Sequence, residues 1–457
     1  MNRGCGADAA PRSVEDGDMT IDPEPATPLR DFVERGFAAA GVPGGVVQIV
    51  RRTGVVETIP FRGLTADSPV MLGSTSKSLT ALGLLCAVED GAVSLDDSVR
   101  HRLPDTDLPP DVTVRDLAHH CSGLATDSTP RRHRHSSSRR FRYANQNYNL
   151  LGEVIEEATG TRLDQWLAER VFEPLGLTHT FCAGRGRDDE IAPGHVGVFG
   201  RFIHRELAGF GPDEWIQPAS GAICSSASDA GRMLRLMLND GILDGRRLLS
   251  RASIRAILHD SVPTHSSPAV DGPLGRSGDY GFGWVGKNLD GEEVFVHVGK
   301  VPTHTTVFAL VPGRGLGMVL AVNACDFLVA TPLLETLADG VIRQLLGHAS
   351  PPMDARAGAT RRAIVNVCHL GILGIGAAGW LIPKSSGAVP TRVGYHFVLP
   401  LALAFGIRRL SETPFPWLKR FVPDTCATVL IAATGMIVSG AAWARSRISA
   451  SAAATRT

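Results

Sequence analysis

Ser74 and Lys77 stand three residues apart in Gly73-Ser74-Thr75-Ser76-Lys77, where helical spacing begins. On a helix that separation puts hydroxyl and amine on one face. A serine hydroxyl is a weak nucleophile at neutral pH, and a lysine kept neutral by desolvation is a base that can take its proton. The first N–H groups of a helix have no partner within it, so the Ser74 N–H can serve an oxyanion. Of the five lysines (Lys77, Lys287, Lys300, Lys384 and Lys419), only Lys77 follows a serine at that distance. Arginine supplies most of the 46 cations and there are only four tyrosines, so a position that keeps an amine or a phenol is more informative than usual. Read singly, each residue also has a plainer role: Ser74 as a helix cap, Lys77 as a solvated helix lysine.

The rest of the chain has to position this pair. Its 457 residues, 44% hydrophobic, have room for two or three domains and lie outside disordered, collagenous or coiled-coil compositions. The 46 Lys+Arg balance 46 Asp+Glu, so there is no global attraction to nucleic acid, and none is expected as a partner. Eight scattered cysteines show neither a disulfide framework nor metal-ligand spacing, and no metal or cofactor is expected. Periodicity predicts a helix over 28–40 and a strand pair over 45–52 and 55–60, turning at Thr53-Gly54. A helix over 74–90 follows, with Leu79, Leu82, Leu85, Cys86 and Val88 on one face and Gly91 as its stop. Further helices are expected over 150–158, 163–171 and 227–238, strands over 281–285, 293–298, 305–311 and 317–322, and a last helix over 328–346. Strands at both ends with helices between imply one sheet completed by distant segments.

Two more motifs follow in order. Tyr143-Ala144-Asn145 precedes a predicted helix, and His297-Val298-Gly299 ends a predicted strand. With Gly91-Ala-Val-Ser-Leu-Asp-Asp97 and Asp116-Leu-Ala-His-His-Cys-Ser-Gly-Leu124, the region from about 29 to 346 resembles the serine β-lactamase-like family of penicillin-recognising enzymes. It is nearest the branch of class C β-lactamases, D-alanyl-D-alanine carboxypeptidases, D-aminopeptidases and esterases. The resemblance implies an α+β fold (α/β sandwich) with a central antiparallel sheet and an all-helical lobe. It also implies a serine hydrolase that acts through an acyl-enzyme on an amide or ester, with a D-amino-acid peptide, a β-lactam or an ester as the small-molecule or peptide substrate. Ser74 would be the nucleophile, Lys77 its proton acceptor and Tyr143 the acid/base for the leaving group and the deacylating water. Asn145 would hold the substrate amide and Lys77. His297 would replace the lysine of the family's third motif, Gly299 would let substrate backbone approach, and the Lys300 N–H would be the second oxyanion donor. His120 matches a family histidine read as structural.

The chain departs from the family between Gly123 and Tyr143, where only nineteen residues intervene and 130–141 form a low-complexity Arg/His run, read as a flexible loop. That short loop motivates an alternative, a catalytically impaired domain that binds muropeptide or a partner. An acyltransferase or peptide cyclase is the other alternative, because an amine or alcohol can outcompete water.

From Arg361 onward, eleven Lys+Arg face only Glu412 and Asp424, a balance of +9 that leaves −9 for the preceding 360 residues. Residues 363–382 and 427–443 are charge-free apolar runs near the span of a bilayer core, and 395–407 is a shorter one interrupted by Pro400. The expected organisation is a disordered leader over 1–27, the hydrolase domain over 28–348 and a linker over 349–362. A membrane region with two or three transmembrane helices over 363–447 and a tail over 448–457 complete it. Asn366 and His369 are read as interhelical hydrogen-bond partners. The localisation expected is multi-pass membrane. The family suggests an extracytoplasmic domain, whereas the lack of a secretory signal and the cations flanking the spans suggest a cytoplasmic one.

Overall fold

Strands from the two ends of the predicted domain lie side by side. In a computed structural model that describes residues 28–129, 136–207, 210, 213–265, 272–275, 278–381, 389–403, 406 and 413–454, eight strands form one sheet. Their order across it is Val262–Pro263, Asp279–Tyr280, Val285–Leu289, Glu292–Val301, His304–Val311, Leu316–Val322, Gly45–Arg51, Gly54–Phe61. All neighbours are antiparallel, and Gly45 pairs with Val322 where the early hairpin joins the late strands. His304–Val311 and Leu316–Val322 are buried throughout, because both faces of the sheet are covered and near-continuous apolar runs suit that position. On one face, helices Pro28–Ala40 and Ala330–Leu345 share a core with Val47, Ile49, Val307 and Leu320. On the other, helix Ser76–Glu89 and the helical lobe around Asn145–Thr159 and Leu163–Leu167 share a core with Phe295, Phe308 and Val319. The fold is the predicted one, a large antiparallel sheet with helices.

Three boundaries differ from expectation for physical reasons. The strand expected over 281–285 starts at Val285, because Gly281 N–H bonds the Trp284 carbonyl at 2.8 Å and Gly283 adopts φ +75°. The resulting turn lies against the serine helix, where a β-carbon on Gly283 would stand 2.8 Å from the Lys77 carbonyl. The helix expected from 150 begins at Asn145, and its first turns are Asn and Gln residues with no apolar periodicity that are nonetheless buried and hydrogen-bonded. The first tail helix begins at Ala357, within the expected linker. The leader and residues 130–135 of the basic loop lie outside the described residues.

Two tail helices, Ala357–Leu381 and Pro423–Ala454, contain segments long and apolar enough to cross a membrane. The shorter run near 395 is helical over Val389–Val393 and Gly394–Val398, and residues 404–405 and 407–412 lie outside the described residues. A short helix, Phe415–Phe421, precedes the second long one.

Candidate active site

The serine sits at a junction of backbone segments. Gly73–Thr75 forms a turn of 3-10 helix that runs into Ser76–Glu89. Gly73 has φ +58°, and a β-carbon there would lie 2.9 Å from the Gly299 carbonyl carbon, so the histidine strand Glu292–Val301 passes directly beside the residue before Ser74. Hydroxyls of Thr75 and Thr306 both donate to the Leu72 carbonyl, at 2.9 and 2.7 Å, and Leu72 N–H reaches the Ile223 carbonyl at 2.9 Å. Ser74 is half-buried, while its neighbours from Met71 to Ala87 are buried.

Lys77 is fully buried, and burial holds its amine well below the usual lysine range. Nζ donates to Asn145 Oδ1 at 2.9 Å and to the Ser220 carbonyl at 2.6 Å, and lies 3.3 Å from Ser74 Oγ. Asn145 Oδ1 and the Ser220 carbonyl can only accept, so in a neutral amine they occupy two N–H groups and the lone pair is left for the Ser74 hydroxyl. The rings of Tyr143 and Tyr148 flank the amine, with centroids 4.9 and 5.4 Å away. Burial pushes the Tyr143 phenol up, and the nearby Ser74 hydroxyl pulls it down by a smaller amount. The shortened segment before it does not displace it: Arg142 N–H bonds the His120 carbonyl at 2.9 Å, and Ser136 N–H bonds the Gly123 carbonyl at 2.8 Å.

His297 projects from its strand toward the helical lobe, buried, with Nε2 3.4 Å from the Tyr280 hydroxyl. Tyr280 in turn meets His120 Nε2 at 3.3 Å. His120 Nδ1 accepts from Ala144 N–H at 3.3 Å and Asn147 Nδ2 at 3.1 Å, which leaves its proton on Nε2 and orients the relay His120–Tyr280–His297. Desolvation, and secondarily the nearby Lys77, lowers His297 to about 3, and desolvation likewise lowers His120 well below the usual histidine value, so both rings are neutral near pH 7. Gly299 is required for a close protein contact: a β-carbon there would collide with the Leu72 carbonyl oxygen. The Lys300 backbone N–H lies beside Gly73, while its side chain leaves by the other face of the sheet to pair with Glu335 at 2.6 Å.

The structure thus brings Ser74, Lys77, Tyr143, Asn145 and the backbone of Gly299 and Lys300 together, and keeps His297 one layer back, held by Tyr280. Sequence reasoning missed Ser220, whose contribution is a carbonyl that any residue type supplies. It also missed Tyr280 and Gly283. The scarcity of tyrosine that singles out Tyr143 applies equally to Tyr280, but the apolar run after Tyr280 reads as strand and hides the turn at Gly283.

Known proteins share this architecture. A penicillin-binding protein homologue from Pyrococcus abyssi superposes with a TM-score of 0.57 at 22% identity, covering 72% of this chain and 78% of that one. A D-amino acid amidase from Ochrobactrum anthropi SV3 does so with 0.58 at 21% identity, covering 70% and 99%. Penicillin-binding protein 4 of Amycolatopsis lactamdurans is 29% identical over 64% of this chain and 81% of its own length. Penicillin-binding protein 4* of Bacillus subtilis is 27% identical over 58% of this chain and 62% of its own. The β-lactamase family model matches residues 29–332, about two-thirds of the sequence, and by that match the chain belongs to the β-lactamase and penicillin-binding-protein family of serine hydrolases.

Proposed function

We propose that the chain is a serine hydrolase held at a membrane by its C-terminal helices, and that it opens an amide or ester through an acyl-enzyme on Ser74. The observation that carries this reading is the placement of Lys77, with two carbonyl acceptors fixing the amine and its remaining contact on Ser74 Oγ. Lys77 Nζ takes the Ser74 proton as Oγ bonds to the substrate carbonyl carbon. The oxyanion that forms is held by the N–H groups of Ser74 and Lys300. Collapse breaks the amide or ester bond, and the leaving amine or alcohol departs with a proton passed through Lys77 and Tyr143. Water then adds to the acyl carbon, gives up its proton to the same pair and frees Ser74 with the carboxylic acid product. Lys77 and Tyr143 act as one coupled acid/base unit.

The substrate class follows the relatives, which include penicillin-binding proteins and a D-amino acid amidase: a D-amino-acid amide or peptide, or a β-lactam. The experiment is labelling of the full chain in detergent with a fluorophosphonate and with a fluorescent penicillin, followed by mapping of the modified peptide. Labelling at Ser74 by either probe, lost in Ser74→Ala, is expected. Absence of label at Ser74 with both probes would overturn the reading.

A further inference from the structure

The short helix Phe415–Phe421 does not lie free between the tail helices. Trp417 and Phe421, 2% and 7% exposed, are buried in a core with Met71, Ile216, Cys224 and Val301. Met71 lies three residues before Ser74, and Val301 directly follows Lys300. The Trp417 ring lies 6.1 Å from that of Trp215, and Phe421 lies 4.8 Å edge-on from Phe327. Trp215 and Ile216 open the loop that ends in Ser220-Gly221. This loop is a tight turn in which the Gln217 carbonyl accepts from the N–H groups of Ser220, Gly221 and Ala222 at 3.1, 2.8 and 3.0 Å. A β-carbon on Gly221 would touch Ile216 at 2.9 Å and Gly73 at 3.5 Å, so the turn is wedged between the Trp417 cluster and the serine. Its Ser220 carbonyl is the shorter of the two acceptors that fix Lys77.

We propose that Trp417 is a positioning residue for catalysis: the membrane tail reaches back through Trp215 and Ile216 to set the Ser220 carbonyl, and with it the direction of the Lys77 amine. This rests on the acyl-enzyme reading of Ser74, which supplies the role of Lys77. Trp417 touches neither substrate nor serine. Its effect travels through contiguous side chains, and an amine displaced by a fraction of an ångström loses its line to Ser74 Oγ. The tail is then part of the enzyme and not a detachable anchor. The groups that face Lys77 are Ser74 from the turn before its helix, Tyr143 and, in helix Asn145–Thr159, Asn145 and Tyr148, the Ser220 carbonyl, and at longer range His297 and His120. Replacing Trp417 removes none of these groups, and the one it displaces is the Ser220 carbonyl.

The test uses the full chain in detergent or nanodiscs. Trp417→Ala is expected to lower the acylation rate by a fluorophosphonate about tenfold to a hundredfold. The pH midpoint of acylation moves upward, because water admitted beside Lys77 returns its amine toward the ordinary value. Trp417→Phe restores most of the rate. Trp443→Ala, which removes another buried tail tryptophan outside this cluster, leaves rate and midpoint unchanged. Hydrogen exchange over 215–222, which needs no activity, is expected to quicken in Trp417→Ala and not in Trp443→Ala. The proposal is overturned if Trp417→Ala keeps the wild-type exchange over 215–222, or if its acylation rate and midpoint stay within twofold of wild type. Wild-type protein that takes no label at Ser74 while the exchange shifts as expected overturns the acyl-enzyme reading instead, and the tail is then a support of the loop alone.

Discussion

Apolar residues end up in opposite places in the two halves of this molecule. Strands His304–Val311 and Leu316–Val322 put every side chain inside. In the tail helix Ala357–Leu381 the arrangement is reversed: Gly358, His369, Gly376 and Gly379 are its buried residues, while Val367, Leu370 and Leu381 are 66, 67 and 84% exposed. Gly376 meets Ala432, and Gly379 meets Ser439 and His396, so small residues let the tail helices approach and leave hydrocarbon on the outside. A surface of that kind suits a lipid solvent and not water, which supports the membrane half of the proposal. The same inversion changes what a buried polar group means. In the domain, Lys77 is held by several directed partners, the arrangement on which the proposed acid/base role rests. In the tail, His369 meets Thr425 at 3.0 Å through one nitrogen and leaves the other unpaired, a contact between helices.

The largest effects are therefore expected in the domain. Lys77→Ala should slow acylation of Ser74 by about 10²–10⁴-fold, the usual range for loss of a general base, measured in single turnover with an activated ester. A loss under threefold would mean that burial of Lys77 is as incidental as that of His369. Gly299→Ala comes next. Its β-carbon meets backbone that cannot swing away, the Leu72 carbonyl, and the expected cost is about 3 kcal/mol of stability, read from thermal unfolding in detergent. The same change at Gly371 in the tail, where a β-carbon meets nothing within 4 Å, should be silent.

Acid should separate the halves further. Desolvation lowers the folded-state values of His297 to about 3 and His304 to about 4, from an unfolded value near 6.5. Between those limits the unfolded chain binds protons that the folded domain refuses. Domain stability therefore falls as pH drops through about 6, by about 1.4 kcal/mol per pH unit for each histidine, and levels off only below about 3. Replacing His304 with Gln should shallow that slope in a pH series of thermal midpoints. An unchanged slope would mean that the ring is not neutral in the folded protein.

Much of the domain's fold, and the grouping of its candidate site, was legible because the signals are local. Ser74 to Lys77 is one helical turn, and the strands of the sheet are apolar runs that any register must bury. What escaped reading depends on pairs far apart in sequence. Ser220 serves through a backbone carbonyl, which carries no residue signature, and the Asn145–Asn149 turns have no apolar periodicity because Asn145, Asn147 and Asn149 find hydrogen-bond partners inside the fold. Gly283 is a turn because the serine helix lies against it. In the tail, the apolar runs marked both long helices, but nothing in the motif Phe415-Pro-Trp-Leu-Lys-Arg-Phe421 announced that Trp417 and Phe421 belong to the core beside Ser74.

The smallest effect tests the tail's side of the comparison. His396 Nδ1 lies 3.0 Å from the Met436 carbonyl and 3.2 Å from Ser439 Oγ, but Ser439 Oγ also donates to the Met436 carbonyl at 2.9 Å. Removing the ring thus leaves its partners bonded to each other, and interhelical bonds between helices in lipid average only about 0.6 kcal/mol. His396→Ala should cost about 1 kcal/mol of helix association once the space vacated beside Gly440 is added, with no change in the rate of Ser74 acylation. Retention of the full-length fold in a detergent titration, with activity measured in the same samples, checks both. If acylation falls with His396→Ala as it does with Trp417→Ala, the tail acts on the site as a single body. If only Trp417 matters, the coupling runs through the short helix Phe415–Phe421, and the two long tail helices serve to hold it in place.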